Sequence, residues 1–395
     1  MRQKSDFFLL FPLLLLIGCN GDEPSTSEPA TSFRFATTEN ISIEEAAPVA
    51  QQWLTAYRKR DAKMLRELFD ADGYGWRATK CFGLSHSQRS KLITENRLSF
   101  INGLLKNLLP VKEEKDYYDL LRVFQQEGKT YGLFRRVNAL GMVNHHTLLF
   151  VRDPDGKIGV GDLLLSNTGY PVSVGFGLTY LATNRKYLAQ FKPFVPTRSR
   201  GDMEELEAII QARKANNAKE IVRICEALPP VMLDDVVFLD YYTTALVQCD
   251  KIEKLEDIYR KLRSEKKDLA AIELKMIDPC ILIGAFAKAQ WVLDHLYKRF
   301  DDPYFIALKG FNAKINKKEE LALEFFQQAV DEGCDLPMVV QQLAYFAMAK
   351  KDWPRTVDAL RRAEKYGEPL TLIQSRPGVK EFLATPEGAP WRPQN

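Results

Sequence analysis

The amino-acid sequence predicts an α+β domain, with helices on a curved antiparallel sheet, followed by an all-α solenoid of helical hairpins. Three observations carry this. Between about Ser42 and Pro193, helical stretches come first and strand-like segments follow. From about Gly201 the chain is an almost unbroken series of amphipathic segments with short polar joints. Within that series, small and large apolar residues recur at a fixed offset of 34 positions. The composition, 46% apolar and 27% charged with a net charge of +3, is ordinary for folded protein and gives no basic footprint for nucleic acid.

The chain opens with Arg2 and Lys4 and then an apolar run from Phe7 to Ile17. That run has the length of a signal-peptide core and falls short of the roughly 20 residues a membrane span needs, so residues 1–18 are expected to be a signal peptide. Its end, Leu16-Ile17-Gly18-Cys19, resembles the lipobox of bacterial lipoproteins. The resemblance implies that Cys19 is diacylated, begins the mature chain and anchors it to a membrane of the cell envelope. Several acyl chains make such attachment stable where one is marginal. Asn20 stands where an Asp resembles an inner-membrane retention signal, which favours the outer membrane. Residues 19–40, rich in Ser, Thr, Pro and Glu, have little to bury and read as a flexible tether.

Residues 41–194 make up the α+β domain. Pro48, Val49, Trp53 and Tyr57 mark one helix face, and Asp61 caps a second helix carrying Leu65, Leu68 and Phe69. A third helix is expected from Ser87 to Leu108, burying Leu92, Ile93, Phe100, Ile101 and Leu104. Strands follow at Tyr118 to Gln125, Thr130 to Asn138, Asn144 to Arg152 and Ile158 to Ser166, with turns at Glu127-Gly128-Lys129 and Asp153-Pro154-Asp155-Gly156. A further helix is expected from Thr179 to Gln190. The order of elements, and Ala50-Gln51-Gln52-Trp53-Leu54-Thr55-Ala56-Tyr57 through Asp61 to Leu68-Phe69, resemble the cone-shaped superfamily named after nuclear transport factor 2. Its members include enzymes, small-ligand binders and silent adaptors, so the resemblance implies a possible pocket, for which Trp53, Phe100, Phe134 and Phe150 are the candidate lining.

Residues 195–202 read as a linker, 203–369 as the repeats and 370–395 as a C-terminal cap and tail. In the repeats Gly310, Ala313, Ala322, Phe326 and Ala329 correspond to Ala344, Ala347, Thr356, Leu360 and Ala363. Small residues allow paired helices to approach, and the large apolar residue fills the groove between them. The spacing resembles the tetratricopeptide repeat, with Ile306 and Val340 where that family has an aromatic. Working backward, the groove residue recurs as Leu293, Tyr259 and Ile224, followed three positions later by Leu296, Leu262 and Ala227. Joints fall at Asn216-Asn217, Asp250-Lys251, Asn316-Lys317 and Lys351-Asp352. Leu269 to Ala289 fits least, because Asp278-Pro279 is expected to interrupt its first helix. Val379, Phe382 and Leu383 are expected to cap the array.

Chemistry-bearing patterns are sparse. His145 and His146 are adjacent on a strand, so they face opposite sides and do not converge on one substrate. Asp162 is expected to pair with a neighbouring Arg. Cys81, Cys225, Cys249, Cys280 and Cys334 show no zinc spacing and are expected to form no disulfide framework. No catalytic residue, metal or cofactor is expected. The favoured reading is an envelope-anchored scaffold that binds an unidentified protein or peptide on the concave face of its repeats. The alternative is a small-ligand or lipid binder using the N-terminal pocket, with catalysis there the least supported.

Overall fold

The computed structural model describes residues 36–38, 41–80, 84–109, 116–183, 200–230, 233, 235–265, 269–364 and 378–392. Cys19, residues 1–35 of the signal and tether, Cys81, residues 195–199 of the expected linker and residues 370–377 of the expected cap lie outside them. The chain divides into two compact units, Met1–Leu255 and Glu256–Asn395. Among the described residues no helix is long and apolar enough to cross a membrane.

The first unit begins with helix α1, Ile43–Arg58, whose start is fixed by a capping box between Ser42 and Glu45. Its buried face carries Ala46, Ala50, Trp53, Leu54 and Tyr57. Asp61 caps α2, Ala62–Leu68, by accepting from the Met64 N–H at 2.9 Å. Helix α3, Ala71–Ala78, had no sequence signal: Gly73 and Gly75 lower its helix propensity, and Asp70 at its N-cap starts it nonetheless. Helix α4 runs His86–Leu108, close to the expected span.

Five strands then pair antiparallel in sequence order: β1 Tyr117–Gln126, β2 Lys129–Val137, β3 Val143–Arg152, β4 Ile158–Leu165 and the two-residue β5 Tyr170–Pro171. Register irregularities between Leu120 and Arg122, and between Leu149 and Phe150, mark bulges, which raise local twist. Helices α1 to α4 and the inner sheet face share one apolar core. The helix after the sheet, α5, is Val172–Thr183, beginning seven residues before the expected Thr179.

This unit does not stop at the expected linker. Helix α6, Arg200–Lys214, already starts within it and packs on α5, followed by α7, Ala218–Ala227, and α8, Val236–Gln248. The Tyr170 hydroxyl donates to Asp240 of α8 at 3.2 Å, and the Arg213 guanidinium lies 5.2 Å from the Tyr241 ring centre. Ala227, expected to be a packing residue, is exposed because α7 ends there.

Helix α9, Ile252–Ser264, carries the chain into the second unit. There α10 Ala270–Leu282, α11 Phe286–Phe300, α12 Tyr304–Ile315, α13 Glu319–Asp331, α14 Pro337–Ala349 and α15 Trp353–Glu364 each pack on the next. The expected break at Asp278-Pro279 is absent: α10 runs on to Leu282 with Pro279 inside it, at the cost of the one helix hydrogen bond that its missing N–H cannot donate. A short helix, α16 Val379–Ala384, places Phe382 against Trp353 and Trp391, at 5.8 and 6.0 Å between ring centres. Trp391, in the expected tail, is buried.

A single turn conformation joins the paired helices. Asn216, Asp250, Gly284, Lys317 and Lys351 have φ of 52°, 57°, 75°, 57° and 59°, at steps of 34, 34, 33 and 34 residues. After each, the next N–H donates to the carbonyl five residues earlier, at 2.8 or 2.9 Å: Asn217 to Ala212, Lys251 to Leu246, Ala285 to Cys280, Lys318 to Ala313 and Asp352 to Ala347. This closure satisfies carbonyls that a helix end leaves without partners. The turn at Gly284 lies in the stretch whose sequence fits the repeat least.

Candidate functional site

In the α+β domain, Trp53, Phe100, Phe134 and Phe150 are all fully buried in one core cluster. Rings pack on one another around them. Tyr57 stacks on Tyr118 at 3.7 Å between centres, and Tyr118 stacks on Phe134 at 5.3 Å. The four are therefore core packing and not the wall of an open pocket. Neither of the two surface concavities described below includes them.

Several polar groups in this core partner one another, while the buried Tyr74 hydroxyl has no hydrogen-bond partner among the described residues. The Trp53 Nε1–H donates to the Tyr118 hydroxyl at 3.4 Å, and His146 Nδ1 lies 3.2 Å from the same oxygen. Burial holds the His146 imidazole neutral, with its pKa well below the ordinary value, helped by the Arg136 charge. Tyr57 donates to Asp116, which also pairs with Arg136 at 2.9 Å. Asp162 on β4 accepts from the Ser173 hydroxyl on α5 and sits 3.6 Å from Arg77 of α3, tying three elements together. Burial raises its pKa, while these donors oppose the rise. Its position fits the expected Arg pairing and leaves it closed to substrate. Among the described residues no group of three or more His, Cys, Asp or Glu side chains is placed to hold a metal ion.

The helical hairpins place the packing residues as small contacts between helices. Ala313, Ala322, Phe326, Ala329, Ala344, Ala347, Leu360 and Ala363 are buried. Gly310 of α12 is buried against Phe326 of α13: a Cβ there would lie 2.8 Å from the Phe326 ring. Phe326 in turn meets Phe311 edge-on at 5.0 Å and Phe346 in parallel at 6.1 Å. The groove series Ile224, Tyr259, Leu293, Phe326 and Leu360 is buried throughout.

Among the described residues of the helical region, the three most exposed large apolar side chains cluster at helix ends. Leu282 and Ile283 end α10 and are 58% and 55% exposed; Ile315 ends α12 and is 54% exposed. Leu282 and Ile315 each stand two residues before the left-handed turn residue, so they are equivalent positions of successive hairpins.

Two open concavities lie in the second unit, and neither was visible in the sequence. One, of about 330 Å³, is lined by Tyr259, Arg260 and Arg263 of α9 and Lys288 and Trp291 of α11. Behind it Glu273 of α10 is fully buried, accepting from the Tyr259 hydroxyl at 3.2 Å and meeting His295 Nδ1 at 2.9 Å. The other is lined mainly by acidic and amide residues of α13, among them Glu320, Glu324 and Asp331, with Lys350 and Arg355 opposite. Glu273 was hidden by its setting. It interrupts an otherwise apolar helix, and only the three-dimensional placement of Tyr259 and His295 shows what partners it. Compared with known proteins, the chain matches no family model, no curated protein and no solved structure.

Proposed function

We propose that this chain is a lipid-anchored envelope protein whose helical region is a tetratricopeptide-like solenoid that binds a segment of another protein. One observation carries the reading: the same left-handed turn closes at Asn216, Asp250, Gly284, Lys317 and Lys351, at nearly constant steps. Hairpins that share one turn geometry are the building unit of repeat proteins, in which each hairpin buries its apolar face against its neighbours. The exposed Leu282, Ile283 and Ile315 at the ends of first helices offer apolar anchors on those hairpins. The anchor rests on the lipobox-like Leu16-Ile17-Gly18-Cys19. The alternative, a small-ligand or lipid carrier, asks for an open interior, and Trp53, Phe100, Phe134 and Phe150 pack that interior solidly.

Capture from envelope extracts tests the binding role, comparing the acylated wild type with an Ile315→Glu, Leu282→Glu variant of unchanged circular dichroism. A partner retained by the wild type and lost by the variant is expected; identical partner sets would refute the role. Labelled palmitate incorporated by the wild type and not by Cys19→Ser is the expected sign of the anchor.

A further inference from the structure

We propose that the cleft between α9 and α11 is a docking site for an acidic peptide segment of a partner protein, with Arg263 gripping a carboxylate over Trp291. The inference rests on the scaffold reading and adds the chemistry of one partner.

Three cations, Arg260, Arg263 and Lys288, reach the cleft wall, and no carboxylate does. The nearby acids are committed elsewhere. Glu256 of α9 pairs across the cleft wall with Lys288 of α11 at 2.6 Å and Asp257 with Arg260 within α9, which leaves Arg263 as the cation of the lining without such a partner, while Glu273 is sealed behind Tyr259 and His295. Among the described residues Arg263 forms no ion pair; its guanidinium carbon lies 4.7 Å from the centre of the Trp291 ring. A guanidinium held over a ring keeps five N–H donors, and a fork of that kind can take a carboxylate in bidentate fashion.

Trp291 is held for this task. It meets Tyr259 edge-on at 6.2 Å and lies parallel to His295 at 5.6 Å, and both of those side chains are pinned by Glu273. The buried carboxylate thus fixes the aromatic floor from beneath. Trp291 remains 39% exposed, enough for an apolar or aromatic side chain next to the peptide's acid to rest on it. A membrane surface is the weaker match. Binding anionic lipid calls for a cluster of about 4–8 basic residues, whereas here one of three cations is without a carboxylate, and the ring lines a concavity.

The test is fluorescence anisotropy with the full chain and a labelled peptide of alternating Asp and Phe, beside the same peptide with Asn for Asp. The acidic peptide is expected to bind wild type, with affinity falling on added salt. Replacing Asp by Asn, or Arg263 by Gln in the protein, is expected to weaken it about tenfold or more. Arg263 is exposed, so Arg263→Gln leaves the fold intact; unchanged thermal melting checks this. Equal binding of the two peptides, an unaffected Arg263→Gln variant, or no binding up to about 1 mM peptide would overturn the proposal. So would uptake by anionic phospholipid vesicles alone, or wild-type self-association abolished by Arg263→Gln without peptide binding. If the peptide fails while envelope capture still depends on Ile315 and Leu282, this inference falls and the scaffold reading stands.

Discussion

The α+β domain and the helical hairpins close their interiors by opposite means. The first uses large rings: Trp53, Phe100, Phe134 and Phe150 fill the space between helices and sheet. The second uses small side chains, Gly310, Ala313, Ala322, Ala329, Ala344 and Ala347, that bring helix backbones together. Rings that fill a closed interior leave it no room for a guest. Thin contacts repeated along a chain create edges, clefts and exposed helix ends. On the proposed reading, that difference is why the helical region and not the first interior is offered as the binding surface.

The sharpest way to break the comparison is to change size in the wrong direction for each region. Trp53→Ala is expected to cost about 3–5 kcal/mol through the cavity it opens, measured by urea unfolding followed through hydrogen exchange of the sheet amides. Gly310→Val is expected to cost about 1–3 kcal/mol through overpacking against Phe326, read from exchange in α12 and α13. If Trp53→Ala were neutral, the N-terminal interior would not be the packed solid described, and a ligand pocket would return to consideration.

Acid sharpens the comparison. His146 is buried and held neutral with its pKa far below the ordinary 6.5, while the unfolded chain protonates it normally. Its contribution is therefore complete above about pH 6.5 and is lost as pH falls below that, at about 1.4 kcal/mol per pH unit. The urea midpoint of the sheet should fall accordingly toward about pH 5, and His146→Gln should flatten that limb. An unchanged slope in His146→Gln would assign the acid response to other groups.

The smallest effect tests the shared turn. Gly284→Ala is expected to destabilise by about 1 kcal/mol, because its φ of 75° strains any side chain. Lys317→Gly, at the equivalent place, is expected to stabilise by up to about 1 kcal/mol. Thermal melting that moves both variants the same way would show that the two turns are not equivalent.

Much of this was legible along the chain. The helices at Trp53 and Leu65, the long helix ending at Leu108 and the four main strands follow from apolar period and turn residues, which are local signals. Four of the five joints showed as Asn, Asp and Lys pairs. The fifth, Gly284-Ala285, was masked by Asp278-Pro279, because a Pro reads as a break wherever it stands and only the fold shows that the helix runs on through it to Leu282. Helix α3 was hidden by its glycines. Trp53 and Phe134 were recognisable as inward-facing, yet whether they line a cavity or fill one depends on Tyr57 and Tyr118, brought in from other elements.

The sequence by itself determined the order of the regions, the residues that face inward and the period of the hairpins, since these depend on neighbours within a few turns of the chain. Only the tertiary structure decided that the rings of the first interior pack on one another, that the compact unit runs past the expected linker to Leu255, and that Tyr259, Trp291 and Arg263 meet in one cleft with Glu273 buried behind it. Those outcomes depend on distances between residues far apart in sequence, and packing sets such distances where no local pattern encodes them.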